Sequence, residues 1–453
     1  MKRILVIILM TLSMLLFACG KQPVQADSTS ASLAETESVQ EENAPVESVT
    51  SEEPEVEEAP AVTDSDELFT LFLTSLKEDT VEKVYDYNSQ QIKDLINPDA
   101  YKKIFADLTD TYGTVSDIKD VKVTDNAGMK LHNASVVLEH AVILIQMYIN
   151  GTSIEGFDFI PLLSEPFTET ISGSVKEDYF FLESGDLKLT AVYTHSDKEN
   201  APVALLIPGS GISDCNESVG LLATFKDMAE KLAERGVNSL RVEKRTNLHD
   251  AKINQNITLD EEYFIDYGNA YNWIKNNTDA SDIYLIGHSL GTQIALEMSK
   301  DCEVSGLILF NGTLRHLADV VLDQAVGADA PGIEEYKELV EAAKSATDEN
   351  ATGSYYYGAT DYYWAGYNKL DFTKTLNDAK VPIAVINSDT DAQLFESDYE
   401  LWREIKKDNY SFVLLHNVNH FGYTDTAETV NVYSDLSFSD EVIDNMLTLM
   451  GNK

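Results

Sequence analysis

Cysteine and basic residues are both scarce in this chain. Three cysteines occur in 453 residues, so no disulfide framework holds the fold. Lysine and arginine number 33 against 77 aspartates and glutamates, which gives a formal net charge of −44. An acidic surface repels phosphate groups, which argues against nucleic acid as a partner and against docking of the folded part onto anionic lipid.

Long apolar runs are also few, and the run at the N-terminus is too short to cross a bilayer. Residues 1–3 are Met-Lys-Arg, and an apolar stretch follows from Ile4 to Phe17. Residues 16–19 read Leu-Phe-Ala-Cys, which resembles the lipobox of bacterial lipoproteins. We therefore predict that 1–19 is a lipoprotein signal peptide and that Cys19 carries a lipid anchor. The protein would then face outward from a bacterial membrane; an ordinary cleaved signal peptide is the alternative.

Residues 20–64 contain almost no aromatic side chains. They consist mainly of Glu, Ser, Ala, Val, Thr and Pro, a composition that cannot bury enough apolar surface to offset the entropy of ordering. We predict a disordered acidic tether. It would act as a spacer between the membrane and the folded part.

Residues 65–163 have the pattern of a small α+β domain. Apolar residues recur at helical spacing in its first half, and strand-like runs follow Gly113. Asn150-Gly151 is typical of a hairpin turn. No catalytic combination of residues occurs there, so its apolar residues are interpreted as core and its role is left open.

The remainder of the chain alternates short apolar runs with amphipathic stretches, which predicts a mostly parallel, doubly wound sheet. Residues 287–291 read Gly-His-Ser-Leu-Gly, between an apolar run at 283–286 and a helix-prone stretch at 292–298. A strand that enters a helix through Gly-x-Ser-x-Gly is a nucleophile elbow. We therefore predict that Ser289 is the nucleophile of an acyl-transfer reaction. The alternative is a glycine-rich turn that serves packing alone.

Two later strand ends carry the residues that a serine nucleophile needs. One apolar run is followed by Asp389 and Asp391, and the next by His416 and His420. An acid and then a histidine, each after a late strand, is the order in which such a sheet supplies triad partners. The aspartate that is not the acid would cap a helix. A metal site at the two histidines is not predicted, because a strand exit precedes them and no glutamate follows the first.

From about Tyr179 to the C-terminus the chain resembles the secreted α/β-hydrolase esterases of bacteria. The matching segments are Leu-Ile-Pro-Gly-Ser-Gly at 206–211, the elbow at 287–291, the run 386–394 and Val-Asn-His at 418–420. The resemblance implies an α/β-hydrolase domain over 175–453 that needs no cofactor. It assigns the acid to Asp391 in the Asp-x-Gln-hydrophobic run and the base to His420.

The developing negative charge on the substrate oxygen requires hydrogen-bond donors. One is the backbone N–H of Leu290, directly after the nucleophile; the other belongs to the loop after an earlier strand. Residues 203–207 form that strand, and the Ser210 N–H is the predicted donor. Pro208 stands where the commoner opening has histidine. His288 is expected to support the turn rather than to act as the base.

An insertion at about 313–380 interrupts the alternation and is predicted to be a lid. Its tyrosines and tryptophan either contact an aromatic acyl group or sugar ring or fix the lid to the sheet. Cys215 and Cys302 are expected to be free or buried thiols rather than a pair.

Together these features predict a serine carboxylesterase for small or medium acyl esters, with acylated carbohydrate kept as a candidate substrate. A peptidase of the prolyl-oligopeptidase type is one alternative, although no propeller repeat occurs. A binding lipoprotein that has lost activity is the other.

Overall fold

A computed structural model describes residues 61–126, 129–248, 256–425 and 431–451. The predicted signal peptide, Cys19 and nearly all of the predicted tether lie outside these ranges. Among the residues described, none of the helices has the length and apolar character that crossing a bilayer requires.

Three α-helices and a 3-10 helix (Val81–Tyr87) come first, and a four-stranded antiparallel sheet follows them. The α-helices are α1 (Ser65–Lys77), α2 (Gln90–Leu95) and α3 (Pro98–Tyr112). The strands, hydrogen-bonded in chain order, are β1 (Asp117–Asn126), β2 (Met129–Val137), β3 (Ala141–Asn150) and β4 (Ser153–Leu163). Helices followed by a meander are what the sequence pattern predicts for this part of the chain.

Local sequence explains where the two longer helices begin. The Asp64 carboxylate accepts hydrogen bonds from the backbone amides of Asp66 and Glu67 at the start of α1. The Asn97 side chain accepts from the Ala100 amide at the start of α3, where Pro98 occupies the first helical position. Each cap satisfies amides that the helix itself leaves without a partner.

The core of this N-terminal unit is continuous with the next part of the chain. Side chains along β3 alternate between buried and half-buried, so one face of the sheet covers the helices. The same apolar cluster contains Tyr179, Val192 and Cys215, which follow the unit in sequence. The two parts of the molecule therefore share one buried interior at their boundary.

A nine-stranded sheet forms the second part. Its strands are β5 (Phe167–Ser172), β6 (Val175–Ser184), β7 (Leu187–His195), β8 (Val203–Ile207), β11 (Asn238–Val242), β12 (Ile283–His288), β13 (Gly306–Phe310), β16 (Ile383–Ser388) and β17 (Tyr410–Leu415). Two short hairpins lie outside it, one made of β9 (Ser218–Val219) with β10 (Leu222–Ala223) and one of β14 (Tyr355–Tyr356) with β15 (Ala359–Thr360).

The sheet order is β17-β16-β13-β12-β8-β11-β7-β6-β5. The six strands from β17 to β11 are parallel, whereas β5, β6 and β7 pair antiparallel at the other edge. Taken from β6 to β17, the strand order is β6-β7-β11-β8-β12-β13-β16-β17, so β11 lies between β7 and β8. This is the strand order of the α/β-hydrolase fold. The predicted fold class is therefore confirmed.

Helices cover both faces of the sheet. They are α4 (Thr224–Glu234), α5 (Asp266–Asn277), α6 (Gly291–Met298), α7 (Leu317–Gly327), α8 (Ile333–Ser345), α9 (Asp361–Tyr367), α10 (Phe372–Asp378), α11 (Glu396–Arg403) and α12 (Asp440–Met450). Helix α4 begins at Thr224, because Leu222 and Ala223 pair with Val219 and Ser218 in a hairpin. The turn Asp260–Ile265 before α5 is π-helical.

The insertion after β13 packs directly on the elbow helix α6. The Tyr367 hydroxyl donates to the Gln293 side chain in α6 (2.7 Å) and accepts from the Leu317 amide (3.0 Å). The Trp364 indole donates to the Tyr356 carbonyl (2.9 Å). Of the two readings of the aromatic cluster, these contacts favour fixing the lid to the sheet domain.

Candidate active site

Ser289 occupies a strained turn between β12 and α6. Its φ is +52°, a left-handed conformation that is unusual for serine and typical of a nucleophile elbow. The flanking glycines have no room for a side chain. A Cβ on Gly287 would lie 2.1 Å from the Gly291 carbonyl oxygen, and one on Gly291 would lie 2.0 Å from the Ile207 carbonyl oxygen. The turn therefore requires glycine on both sides of the serine.

His420 and Asp391 form a buried pair. The imidazole Nδ1 lies 2.6 Å from Asp391 Oδ2, and both side chains are almost completely inaccessible to solvent. The other carboxylate oxygen accepts from the amides of Gln393 (2.7 Å) and Leu394 (3.0 Å). Because both oxygens are held, the carboxylate fixes the imidazole orientation and leaves its Nε2 for proton transfer.

Asp389 and His416 form a second pair, but at the surface. Their Nδ1 to Oδ2 distance is 2.5 Å, and the imidazole is 72 % exposed. Asp389 and Asp391 therefore each contact a different histidine. Only the buried pair, 391 with 420, is joined to the elbow.

The connection to the elbow runs through the backbone of His420. Its carbonyl oxygen accepts from His288 Nε2 (2.9 Å) and from Asn311 Nδ2 (2.9 Å). His288 directly precedes Ser289, and Asn311 follows β13, so the two anchors lie on the strands beside the nucleophile. The structure thus brings Ser289, Asp391 and His420 to one edge of the sheet.

His288 supports the turn. Its Nδ1 lies 2.9 Å from Glu217 Oε2, and the ring is buried. Burial lowers the pKa of His288, but the Glu217 carboxylate and the bond to the His420 carbonyl outweigh it and leave the pKa raised.

The loop after β8 lies against the nucleophile. A Cβ on Gly209 would meet Ser289 Cβ at 3.0 Å and Ser289 Oγ at 3.4 Å. The Gly209 amide is already used, because it donates to Glu217 Oε1 (2.8 Å). In the described part of the chain, neither the Ser210 nor the Leu290 amide donates to another protein group. Both amides are therefore free to donate to a substrate oxygen.

Three buried side chains around this loop were missed by sequence reasoning, namely Glu217, Lys244 and Tyr263. Lys244 and Tyr263 contact the loop carbonyls, and Glu217 contacts its amide. Burial lowers the pKa of Lys244, and the nearby Glu262 carboxylate opposes that shift. One available signal was the Glu-Lys-Arg run at 243–245, where charged residues follow a buried strand at the edge that carries the site.

The described residues contain no group of three His, Cys, Asp or Glu side chains placed to hold a metal ion. Cys215 is buried, Cys302 is half-buried, and both are free thiols, as expected from the sequence.

The strand order and the elbow define an α/β-hydrolase fold, with Ser289, Asp391 and His420 beyond the carboxyl ends of three of its parallel strands. No protein-family model matches the chain. The chain is similar to Esterase EstD of Thermotoga maritima, with 27 % identity over 225 residues, which cover 48 % of this chain and 54 % of that protein. The chain thus spans about half the length of this curated relative.

Solved structures that resemble the chain share little sequence with it. Est1E from Butyrivibrio proteoclasticus has 16 % identity and a TM-score of 0.41, over 60 % of this chain and 99 % of that chain. An esterase from Pyrococcus furiosus has 15 % identity and a TM-score of 0.39, over 57 % of this chain and 91 % of that chain. The fold assignment itself rests on the strand order and directions described above.

Proposed function

We propose that the protein is a serine carboxylesterase that hydrolyses small or medium acyl esters. The observation that carries the proposal is the buried Asp391–His420 pair, whose histidine backbone is bonded to the residue before Ser289. The similarity to Esterase EstD supports the same reaction class. An acidic surface is compatible with neutral ester substrates.

In the proposed reaction, His420 Nε2 takes the hydroxyl proton as Ser289 Oγ attacks the ester carbonyl. The carbonyl oxygen becomes an oxyanion and accepts hydrogen bonds from the Ser210 and Leu290 amides. Its collapse breaks the bond to the alcohol, which leaves with the proton that His420 returns. Water, deprotonated by the same histidine, then attacks the acyl-enzyme and releases the acid and Ser289. No step needs a cofactor.

The test is hydrolysis of short-chain nitrophenyl esters, with fluorophosphonate labelling of the nucleophile. Ser289→Ala should abolish both turnover and labelling. Ser210→Ala is the matched control, because it removes a hydroxyl but keeps the proposed backbone donor, and it should retain activity within a few-fold. Folded wild-type protein that neither hydrolyses these esters nor takes the label would favour an inactive binding protein.

Substrate class and location are further proposals. A panel of acetylated, feruloylated and aliphatic esters, with acylated carbohydrates included, would define the acyl preference. Peptide nitroanilides distinguish an esterase from a prolyl-oligopeptidase-like peptidase, which would cleave them in preference to esters. We also propose that Cys19 anchors the protein to the outer face of a bacterial membrane. Metabolic labelling with an alkynyl fatty acid should then mark the wild type and leave Cys19→Ala unmarked.

A further inference from the structure

Lys244 is a buried cation that the proposed reaction does not use. Its side chain is completely inaccessible and lies 3.3 Å from the Glu262 carboxylate. A lysine in such a position is unfavourable unless its donors are satisfied. The ammonium group is satisfied in an unusual way, because it donates to the carbonyl oxygens of Gly211 (2.6 Å) and Gly209 (3.2 Å).

Tyr263 completes the same arrangement. Its hydroxyl accepts from Lys244 Nζ (2.8 Å) and donates to the Gly209 carbonyl oxygen (2.5 Å). The phenol is fully buried, in the π-helical turn before α5. Two side chains from different elements therefore hold one carbonyl oxygen of the loop beside Ser289.

Because the peptide bond is planar, the orientation of the Gly209 carbonyl also determines the orientation of the Ser210 N–H. In a trans peptide the C=O of one residue and the N–H of the next point in opposite directions. A Gly209 carbonyl that points at Lys244 and Tyr263 therefore turns the Ser210 N–H away from them. The peptide plane before Gly209 is held as well, because the Gly209 amide donates to Glu217. Both planes that flank this glycine are thus fixed.

Without those contacts, the peptide between 209 and 210 has little to resist its rotation. Gly209 has no side chain to restrict its ψ angle, which is the torsion that turns this peptide on its N-terminal side. A flipped peptide would present a carbonyl oxygen, instead of an N–H, to a substrate oxyanion. A carbonyl oxygen in place of the N–H would repel the oxyanion, whereas the transition state needs an attraction at that position.

We infer that Lys244 and Tyr263 are positioning residues, which hold the Ser210 N–H in the orientation of an oxyanion donor. The inference rests on the proposed esterase function. Neither side chain touches substrate; each acts through the Gly209 carbonyl. The orientation of this N–H stabilises the transition state and not the bound substrate. Its loss should therefore lower kcat and leave ground-state binding unchanged.

Tyr263→Phe is the test, because it removes one hydroxyl and leaves the ring in place. Tyr267 supplies a matched control about one helical turn further on. Its phenol is also fully buried and donates to a backbone carbonyl, that of Val242 (3.0 Å), which is not in the loop. Tyr267→Phe therefore loses a comparable buried hydrogen bond with no effect on the peptide at 209.

The readouts are kcat and KM for a nitrophenyl ester, and the affinities for a trifluoromethyl ketone and the corresponding methyl ketone. The fluorinated ketone forms a hemiketal alkoxide with a serine nucleophile and needs the oxyanion donors, whereas the methyl ketone binds without that charge. Tyr263→Phe should lower kcat and the trifluoromethyl ketone affinity by about 10- to 100-fold, with KM and the methyl ketone affinity within about 3-fold. Tyr267→Phe should leave all four within about 3-fold.

A second variant pair tests the lysine. Lys244→Met combined with Glu262→Gln removes the cation without leaving a buried carboxylate uncompensated, and it should show the same selective loss as Tyr263→Phe or a larger one. Equal behaviour of Tyr263→Phe and Tyr267→Phe in an active wild type would overturn the positioning role alone, as would equal losses for the two ketones. A folded wild type without turnover or fluorophosphonate labelling would overturn the esterase function and this inference with it.

Discussion

Asp391 and Asp389 are two residues apart, and their surroundings give them different chemistry. Asp391 is buried with both oxygens held, whereas Asp389 pairs with a histidine that solvent reaches. An exposed ion pair is screened by water and contributes little to either stability or orientation. Only the buried carboxylate can hold an imidazole in one tautomer throughout a reaction.

We therefore expect Asp391→Asn to lower kcat by about 10³- to 10⁴-fold, since the amide would stabilise the wrong tautomer of His420. Asp389→Asn, which changes the same atoms at the surface, should stay within about twofold of the wild type. Steady-state hydrolysis of a nitrophenyl ester measures both. The reverse ranking would assign the acid to Asp389 and the base to His416.

Cys302 yields a prediction that depends on pH. Burial, reinforced by the Asp301 carboxylate, raises the pKa of its thiol to about 11. At pH 8 only about one thiol in a thousand is then the reactive thiolate, against about one in ten at the ordinary pKa of 9.0. Iodoacetamide labelling of Cys302, followed by mass spectrometry, should be slow at pH 8 and accelerate about tenfold per pH unit up to pH 10. A rate that levels off near pH 9 would contradict the raised pKa.

The catalytic candidates could be predicted from sequence, but their supporting residues could not. Ser289 is recognisable because the elbow is a continuous local pattern. Glu217, Lys244 and Tyr263 act through contacts between a loop, a strand end and a helical turn that are distant along the chain. A buried lysine looks the same in sequence as a solvated one, so only the fold shows that its partners are the loop carbonyls.

At the level of elements, the elbow depends on how closely α6 approaches β8. A Cβ on Gly291 would lie 2.0 Å from the Ile207 carbonyl oxygen and 2.8 Å from the Pro208 carbonyl oxygen. Both obstacles are backbone atoms of a buried strand and its exit, which cannot rotate away as a side chain can. Ser289 is thus positioned by the contact between a helix N-terminus and a neighbouring strand.

Gly291→Ala should accordingly lower the free energy of unfolding by at least about 3 kcal/mol. Gly268→Ala in α5 is the control, because no atom beyond its chain neighbours and the backbone of its own helix lies within 4 Å of the Cβ that it would add. The added methyl there should leave stability unchanged or increase it by up to about 1 kcal/mol, as alanine favours a helix over glycine. Urea titration monitored by circular dichroism measures both; equal stabilities would show that the strand and helix can separate at no cost.

The lid is an example of contacts between elements that a local sequence pattern does not predict. Its clustered tyrosines and tryptophan suit either a ligand or a packing role, and composition does not separate the two. The structure gives Tyr367 two partners, a glutamine of α6 and a backbone amide of α7, and so attaches the insertion to the elbow helix. Those partners lie 74 and 50 residues away along the chain, beyond the reach of any local pattern.

At the scale of the whole molecule, the N-terminal unit and the hydrolase sheet are joined through one core. Tyr179 stacks on Phe167 at a centroid distance of 4.3 Å and meets Tyr112 edge-on at 6.2 Å. Cys215, in the stretch of chain that continues from the loop after β8, is buried in the same cluster. The sequence suggested separate units because each has its own periodic pattern of apolar residues. Such a pattern does not show whether two units share a buried core.

A chain lacking residues 1–163 should therefore expose apolar surface and melt at a lower temperature than the full chain, as thermal unfolding would show. Cys215 reports on the same boundary. Burial raises the pKa of its thiol and shields it, so a maleimide at neutral pH should leave Cys215 unmodified in the full chain. In the shortened chain Cys215 should become labelled while Cys302, which packs against the sheet core, reacts at the same rate in both. An unlabelled Cys215 together with an unchanged melting temperature would mean that the hydrolase sheet closes its own core. The N-terminal unit would then contribute nothing to the stretch that follows the loop after β8.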